Sequence, residues 1–187
     1  MTNISISFSW NPSGFSLHWY RMTTFKRRVV REKVLQTLYA YEISKEPITS
    51  VINNVMGDLK NSKDDFEFAK KLVNEVIHHE QEIEDIIKSK VANWEFDRIA
   101  FIDRILLRMG ICEMLYFPDI PPKVTINESI EIAKIFSTEQ SGRFVNGVLD
   151  AILDDFKKSK LLNKSGRGLI EKNLHPENKP NRKPKVQ

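Results

Sequence analysis

DRIAFIDRILLRMGICEMLYF, residues Asp97 to Phe117, is the most apolar stretch of the chain. Ile99, Ile102, Ile105, Leu106, Met109 and Leu115 recur at helical spacing, which predicts a helix over 97–117. Their density leaves no broad polar face, so the helix is expected to be central and packed on more than one side. Shorter amphipathic patterns surround it. Upstream, Val30, Val34, Thr37, Leu38 and Tyr41 share one face of a first helix, from about Phe25 to Ser44 and ending before Pro47. Ile48, Val51, Ile52 and Val55 form a short second helix ending at Gly57. Lys60 to Asp65 is polar and reads as a loop. From Asp64 the pattern Phe66, Ala69, Leu72, Val73, Val76 and Ile77 returns, followed by Ile83, Ile86, Ile87 and Val91. Downstream, Pro118 to Pro122 is a rigid connection. A helix over 124–136 carries Thr125 and Glu128 at capping-box spacing. A last helix over 139–158 buries Val145, Val148, Leu149, Ile152, Leu153 and Phe156. Strand alternation and internal repeats are absent, so the fold class is all-α.

The 187 residues suffice for one domain with tails. Residues 1–24 read as a disordered extension or a mis-called start, with Met22 the true start. Residues 25–158 form the helical domain, and 159–187 form a basic, mostly disordered tail. The net charge of +4 hides a strong polarity. Lys157 to Gln187 holds ten Lys or Arg against two Glu, and Arg21 to Lys33 six against one. Val34 to Phe156 therefore carries the acidic remainder, a net −9. Cationic ends on an acidic body favour phosphate-bearing partners at those ends, though an isolated basic run is as often a solvated surface.

Enzyme signatures are missing. The sequence has no phosphate-cradling Gly-rich loop and no nucleophile elbow. Its one cysteine, Cys112, lies in an apolar pattern and reads as an inert buried thiol of a reducing, cytoplasmic compartment. His78 and His79 point about 100° apart on a helix and make a poor metal pair. Glu82, Glu84 and Asp85 read as a solvated face. Neither cofactor, metal nor membrane span is expected.

Two helix starts are more informative. Lys26, Arg27, Arg28, Arg31 and Lys33 crowd the opening turns of the first helix, where cations oppose the macrodipole. That cost points to phosphate contact. Tyr39 lies off the core stripe, either incidental or an interface anchor. At the start of the last helix, Arg143 faces outward and Phe144 lies at the stripe's edge. Spacing alone favours a Phe closing the core rim; beside an Arg it is also suited to stack an unpaired base.

Longer motifs narrow the choice. The run Pro122-Lys123-Val124-Thr125-Ile126-Asn127-Glu128-Ser129-Ile130-Glu131-Ile132-Ala133-Lys134 resembles the signature of the NusB family, as does Gln140-Ser141-Gly142-Arg143-Phe144-Val145-Asn146-Gly147-Val148-Leu149-Asp150. Ile102 to Arg108 with Cys112 to Leu115 is similar to the family's central helix, and the Arg-rich start with Leu35-Gln36-Thr37-Leu38-Tyr39 to its first helix. The resemblance covers roughly Lys26 to Phe156. It implies a compact all-α fold of about seven helices in two packed bundles. It implies a transcription antitermination factor that binds single-stranded boxA RNA of nascent ribosomal RNA together with ribosomal protein NusE, within an RNA polymerase antitermination complex. Matched by position, the RNA residues would be Arg27, Arg28, Arg31, Gln140, Ser141, Arg143 and Phe144, and the NusE residues Tyr39 and Asp103. The family often has an acidic residue where this chain has Gln140, which here removes a charge that would repel phosphate. Some members form homodimers that cover the RNA face. The alternative is the NusB-like domain of RNA cytosine methyltransferases, for whose cofactor-binding half the chain leaves no room.

Overall fold

The computed structural model describes residues 26–91 and 96–169; the expectations for 1–24 and for 170–187 lie outside them. The described residues form seven α-helices: α1 (Arg27–Ser44), α2 (Ile48–Val55), α3 (Lys63–His78), α4 (Glu80–Lys90), α5 (Phe101–Tyr116), α6 (Pro122–Phe136) and α7 (Glu139–Lys158). Short 3-10 turns occupy Gly57–Asn61, Phe96–Arg98 and Gly166–Leu169. None of these helices is long and apolar enough to cross a membrane.

α5 organises the rest. α1, α3, α4, α6 and α7 all pack against it, and every residue from Ile105 to Met114 is buried. The all-round apolarity of its sequence has this cause: one bundle, α1 to α3, lies on one side, and α4, α6 and α7 on the other. Gly110 sets the spacing to α7. A Cβ there would come 2.9 Å from Leu149 Cδ1, so a larger residue would force the Leu149 side chain to shift. Cys112 is buried, and burial holds its thiol far above the ordinary range.

Buried polar groups tie the bundles together. Arg108 on α5 ion-pairs with Glu42 of α1 and with Glu80 and Glu84 of α4. His79 is not simply solvated: its ring stacks on Tyr116 at 4.0 Å, and the Tyr116 hydroxyl donates to Glu82 at 2.9 Å.

Three local expectations change. The polar stretch from Lys60 is not a loop, because the 3-10 turn runs to Asn61 and α3 begins at Lys63, with Ser62 Oγ donating to Asp65 Oδ2 at 2.7 Å. Thr125 and Glu128 form no capping box. α6 begins at Pro122 behind Pro121, where proline's missing N–H costs nothing. Thr125 instead donates to Glu113 at 3.0 Å, and Glu128 accepts from Arg28.

The third change concerns residues 159–169, which are ordered against the body. Lys164 Nζ donates to the carbonyls of Glu113 and Phe117, at 3.1 and 2.9 Å, and burial pushes its pKa down to about 8. Ser165 N–H donates to the Pro118 carbonyl at 3.1 Å. At Gly168 an added Cβ would lie 1.8 Å from that same carbonyl oxygen, so no side chain fits without moving backbone. We predict that Gly168→Ala undocks this segment and leaves the helices intact. Tryptic cleavage at Lys160 and Lys164 should accelerate about tenfold, a docking loss of about 1.4 kcal/mol. Unchanged cleavage would show that the close approach is not needed for docking.

Candidate nucleic-acid interface

The cations that open α1 have separate fates. Arg27 is half-exposed, its guanidinium 4.6 Å above the Phe68 ring and 3.4 Å from Asp65. Arg28 is partly exposed; its Nε and a terminal nitrogen donate to the two Glu128 oxygens at 2.9 and 3.1 Å, and Glu131 lies 3.8 Å away. Arg31 is only 4% exposed. It donates to both oxygens of Glu113, at 2.6 and 2.9 Å, and Glu113 is itself buried. The expectation that Arg31 meets RNA is therefore corrected: its charge is spent inside the protein, joining α1 to α5.

At the other helix start, Thr138 caps α7 by accepting from Ser141 N–H at 3.1 Å. The Ser141 hydroxyl, also buried, hydrogen-bonds Ser137 and Thr138 at 2.8 and 3.0 Å. Ser141 thus builds the helix start, and it lines the hollow that Gln140, Arg143 and Phe144 also border. Gln140 is exposed. Arg143 is 76% exposed, its nearest carboxylate Glu139 at 4.0 Å. Phe144 is half-buried, one side of its ring against the core and the rest lining two adjoining hollows. One hollow contains Ala100, Asp103, Gln140 and Arg143. The other contains Lys90, Val91 and Gly147. An aromatic edge between two hollows, beside a solvated guanidinium, can stack a base and pair its phosphate.

The two groups do not touch. α6 runs between them, and its exposed side connects them. Glu131 lies 3.8 Å from Arg28 and accepts from Lys134 at 2.7 Å. Lys134 and Arg28 hold its carboxyl below the usual range. The Lys134 stem in turn lies 3.6 Å from where a Cβ of Gly142 would stand. α6 thus separates the two starts and touches both: Arg28 through Glu128 and Glu131, and Gly142 through Lys134.

The two expected partner contacts separate. Tyr39 is 42% exposed, its ring 5.3 Å from Phe101. Asp103 is only 5% exposed, and its Oδ1 makes no hydrogen bond. It lies two residues past Phe101, about 200° around α5, in the hollow beside Arg143 and Phe144. The reading of Asp103 as an exposed partner contact is corrected for this reason. The sequence reading also passed over Ile43, which is 63% exposed. It follows Tyr39 by four residues, the spacing that aligns side chains on a helix.

Among the described residues no cluster of His, Cys, Asp and Glu could hold a metal. Fold and surface together define a small helical protein with exposed cations at the starts of two helices. The comparisons make this specific: residues 28–154 match the NusB family, and the chain belongs to it. It is 47% identical over 150 residues to the transcription antitermination protein NusB of Chloroherpeton thalassium, covering 78% of this chain and 69% of that one. Against the Salinibacter ruber protein of the same name it is 46% identical over 148 residues, covering 77% and 91%. Its fold is similar to that of T. maritima NusB, with a TM-score of 0.66 at 34% identity, covering 71% of this chain and 93% of that one. The crystal structure of antitermination factors NusB and NusE in complex with double-stranded RNA superposes with a TM-score of 0.62 at 30% identity, covering 69% and 96%.

Proposed function

We propose that this chain binds the boxA element of nascent ribosomal RNA transcripts jointly with ribosomal protein NusE and promotes read-through by RNA polymerase. The corner formed by the exposed Arg143 and the half-buried Phe144 carries the reading. It offers a flat apolar edge and a solvated cation to an unpaired base and its phosphate. Arg27, Arg28 and Gln140 extend the surface on either side of α6. The likeness to a NusB–NusE–RNA complex supports a protein partner as well. Tyr39 and Ile43 form an apolar pair on α1 suited to it. The chain acts as an adaptor, without catalysis or cofactor.

The test is titration of fluorescent boxA RNA with the protein, alone and with saturating NusE. A shared RNA surface predicts at least tenfold tighter binding with NusE, about 1.4 kcal/mol of coupling. Equal affinities would overturn joint recognition.

A further inference from the structure

We propose that a third hollow, bordered by Arg167 of the segment after α7, is a subsite for one unpaired nucleotide of the bound RNA. The inference rests on the RNA-binding reading and adds a contact that the family-matched residues 28–154 do not contain.

The hollow measures about 370 Å³ and lies between the starts of α1 and α6, the end of α5 and residues 164–169. Its floor is apolar: Phe68 and Phe117, whose rings meet edge-on at 5.6 Å, with Ile120 and Val124. Its rim carries Arg27, Lys123 and Arg167 beside Asp119; Arg27 is 3.4 Å from Asp65 and Lys123 donates to Asp150 at 2.8 Å, so Arg167 is the cation that the rim most depends on. Arg31 also borders it, but Glu113 neutralises that charge. A ligand-sized apolar cleft under cations fits a planar base below and its phosphate above. The positive rim disfavours an uncharged guest.

Arg167 is held there by construction. Lys164 and Ser165 anchor the chain before it, and Gly168 is pressed against Pro118 after it. Gly168 N–H closes the turn on the Ser165 carbonyl at 2.8 Å. Between these fixed points Arg167 is exposed and faces the hollow. Simple solubilisation would not require a glycine-tight dock. The hollow is continuous with the Arg28 and α6 surface through Val124, which lines both.

The experiment uses the full chain and a short fluorescent single-stranded boxA RNA. Arg167→Glu should weaken binding about tenfold and flatten the log affinity–log salt slope by at least about 1; Arg167→Lys should retain most affinity. Because Arg167 is exposed, thermal melting should not change. RNA bearing 4-thiouridine should photocrosslink to the peptides containing Phe68 or residues 164–169. If Arg167→Glu binds as tightly as the parent while Phe144→Ala binds weakly, the subsite is refuted and RNA binding at α7 stands. Crosslinks confined to 140–144 would also refute it, attributing any effect of Arg167 to its long-range field. A parent chain that binds no RNA would sink both readings.

Discussion

Arg31→Met should cost about 3–5 kcal/mol of folding free energy, a large part of the roughly 5–15 kcal/mol typical of a domain. The methionine fills much of the volume, but it leaves the carboxyl of Glu113 without its ion pair in a site with almost no water. Of its partners only the Thr125 hydroxyl would remain. A smaller loss should follow Arg27→Met, because that guanidinium is half in solvent, 3.4 Å from Asp65, and the buried Asp65 keeps the hydrogen bond from Ser62. Urea denaturation checks this through the shift of the midpoint at constant slope. Adding Glu113→Leu to Arg31→Met should recover much of the stability, since an apolar pair leaves no charge stranded. A variant as stable as the parent that loses only RNA affinity would reverse the assignment and return Arg31 to the RNA surface.

Phe144→Ala should weaken boxA binding by about 1–3 kcal/mol, roughly 5- to 150-fold, the range for one base–aromatic stack. Phe144→Tyr should retain most of the affinity, because the ring face survives. Part of the ring rests on the core, so the alanine variant should also melt somewhat lower, and affinity must be read well below its transition. Arg143→Ala should lose less, with a shallower salt dependence. Affinity that survives Phe144→Ala would mean that the ring only closes the core.

The helices were legible because their apolar residues repeat at the helical period, and α5 stood out because it has no polar face. The fate of single cations was less legible. Arg27, Arg28 and Arg31 look alike as charges, and Glu113, which captures Arg31, lies 82 residues away. A cue existed: on the helical wheel Arg31 falls only about 20° from Leu38, inside the core stripe. The burial of Ser141 and Asp103 was hidden for a related reason. Family motifs mark positions, while burial depends on the neighbours that the fold supplies. For Ser141 the decisive neighbour is the Thr138 cap, and for Asp103 it is the start of α7. The order in residues 159–169 was hidden because their composition is that of a tail. Its only local signal was the Gly166–Gly168 pair, which gives no hint of the Pro118 carbonyl that receives it.

The placement of α5 has a further consequence for ligand length. One proposed hollow borders its first turn at Asp103, the other its last residues at Phe117. The fourteen-residue step from Asp103 to Phe117 holds them roughly 21 Å apart. Five packed neighbours prevent that strut from shortening. An oligonucleotide too short to reach across can fill one end or the other but gains no avidity from having both. The minimum footprint of tight binding is thus written into a helix that touches little of the ligand itself.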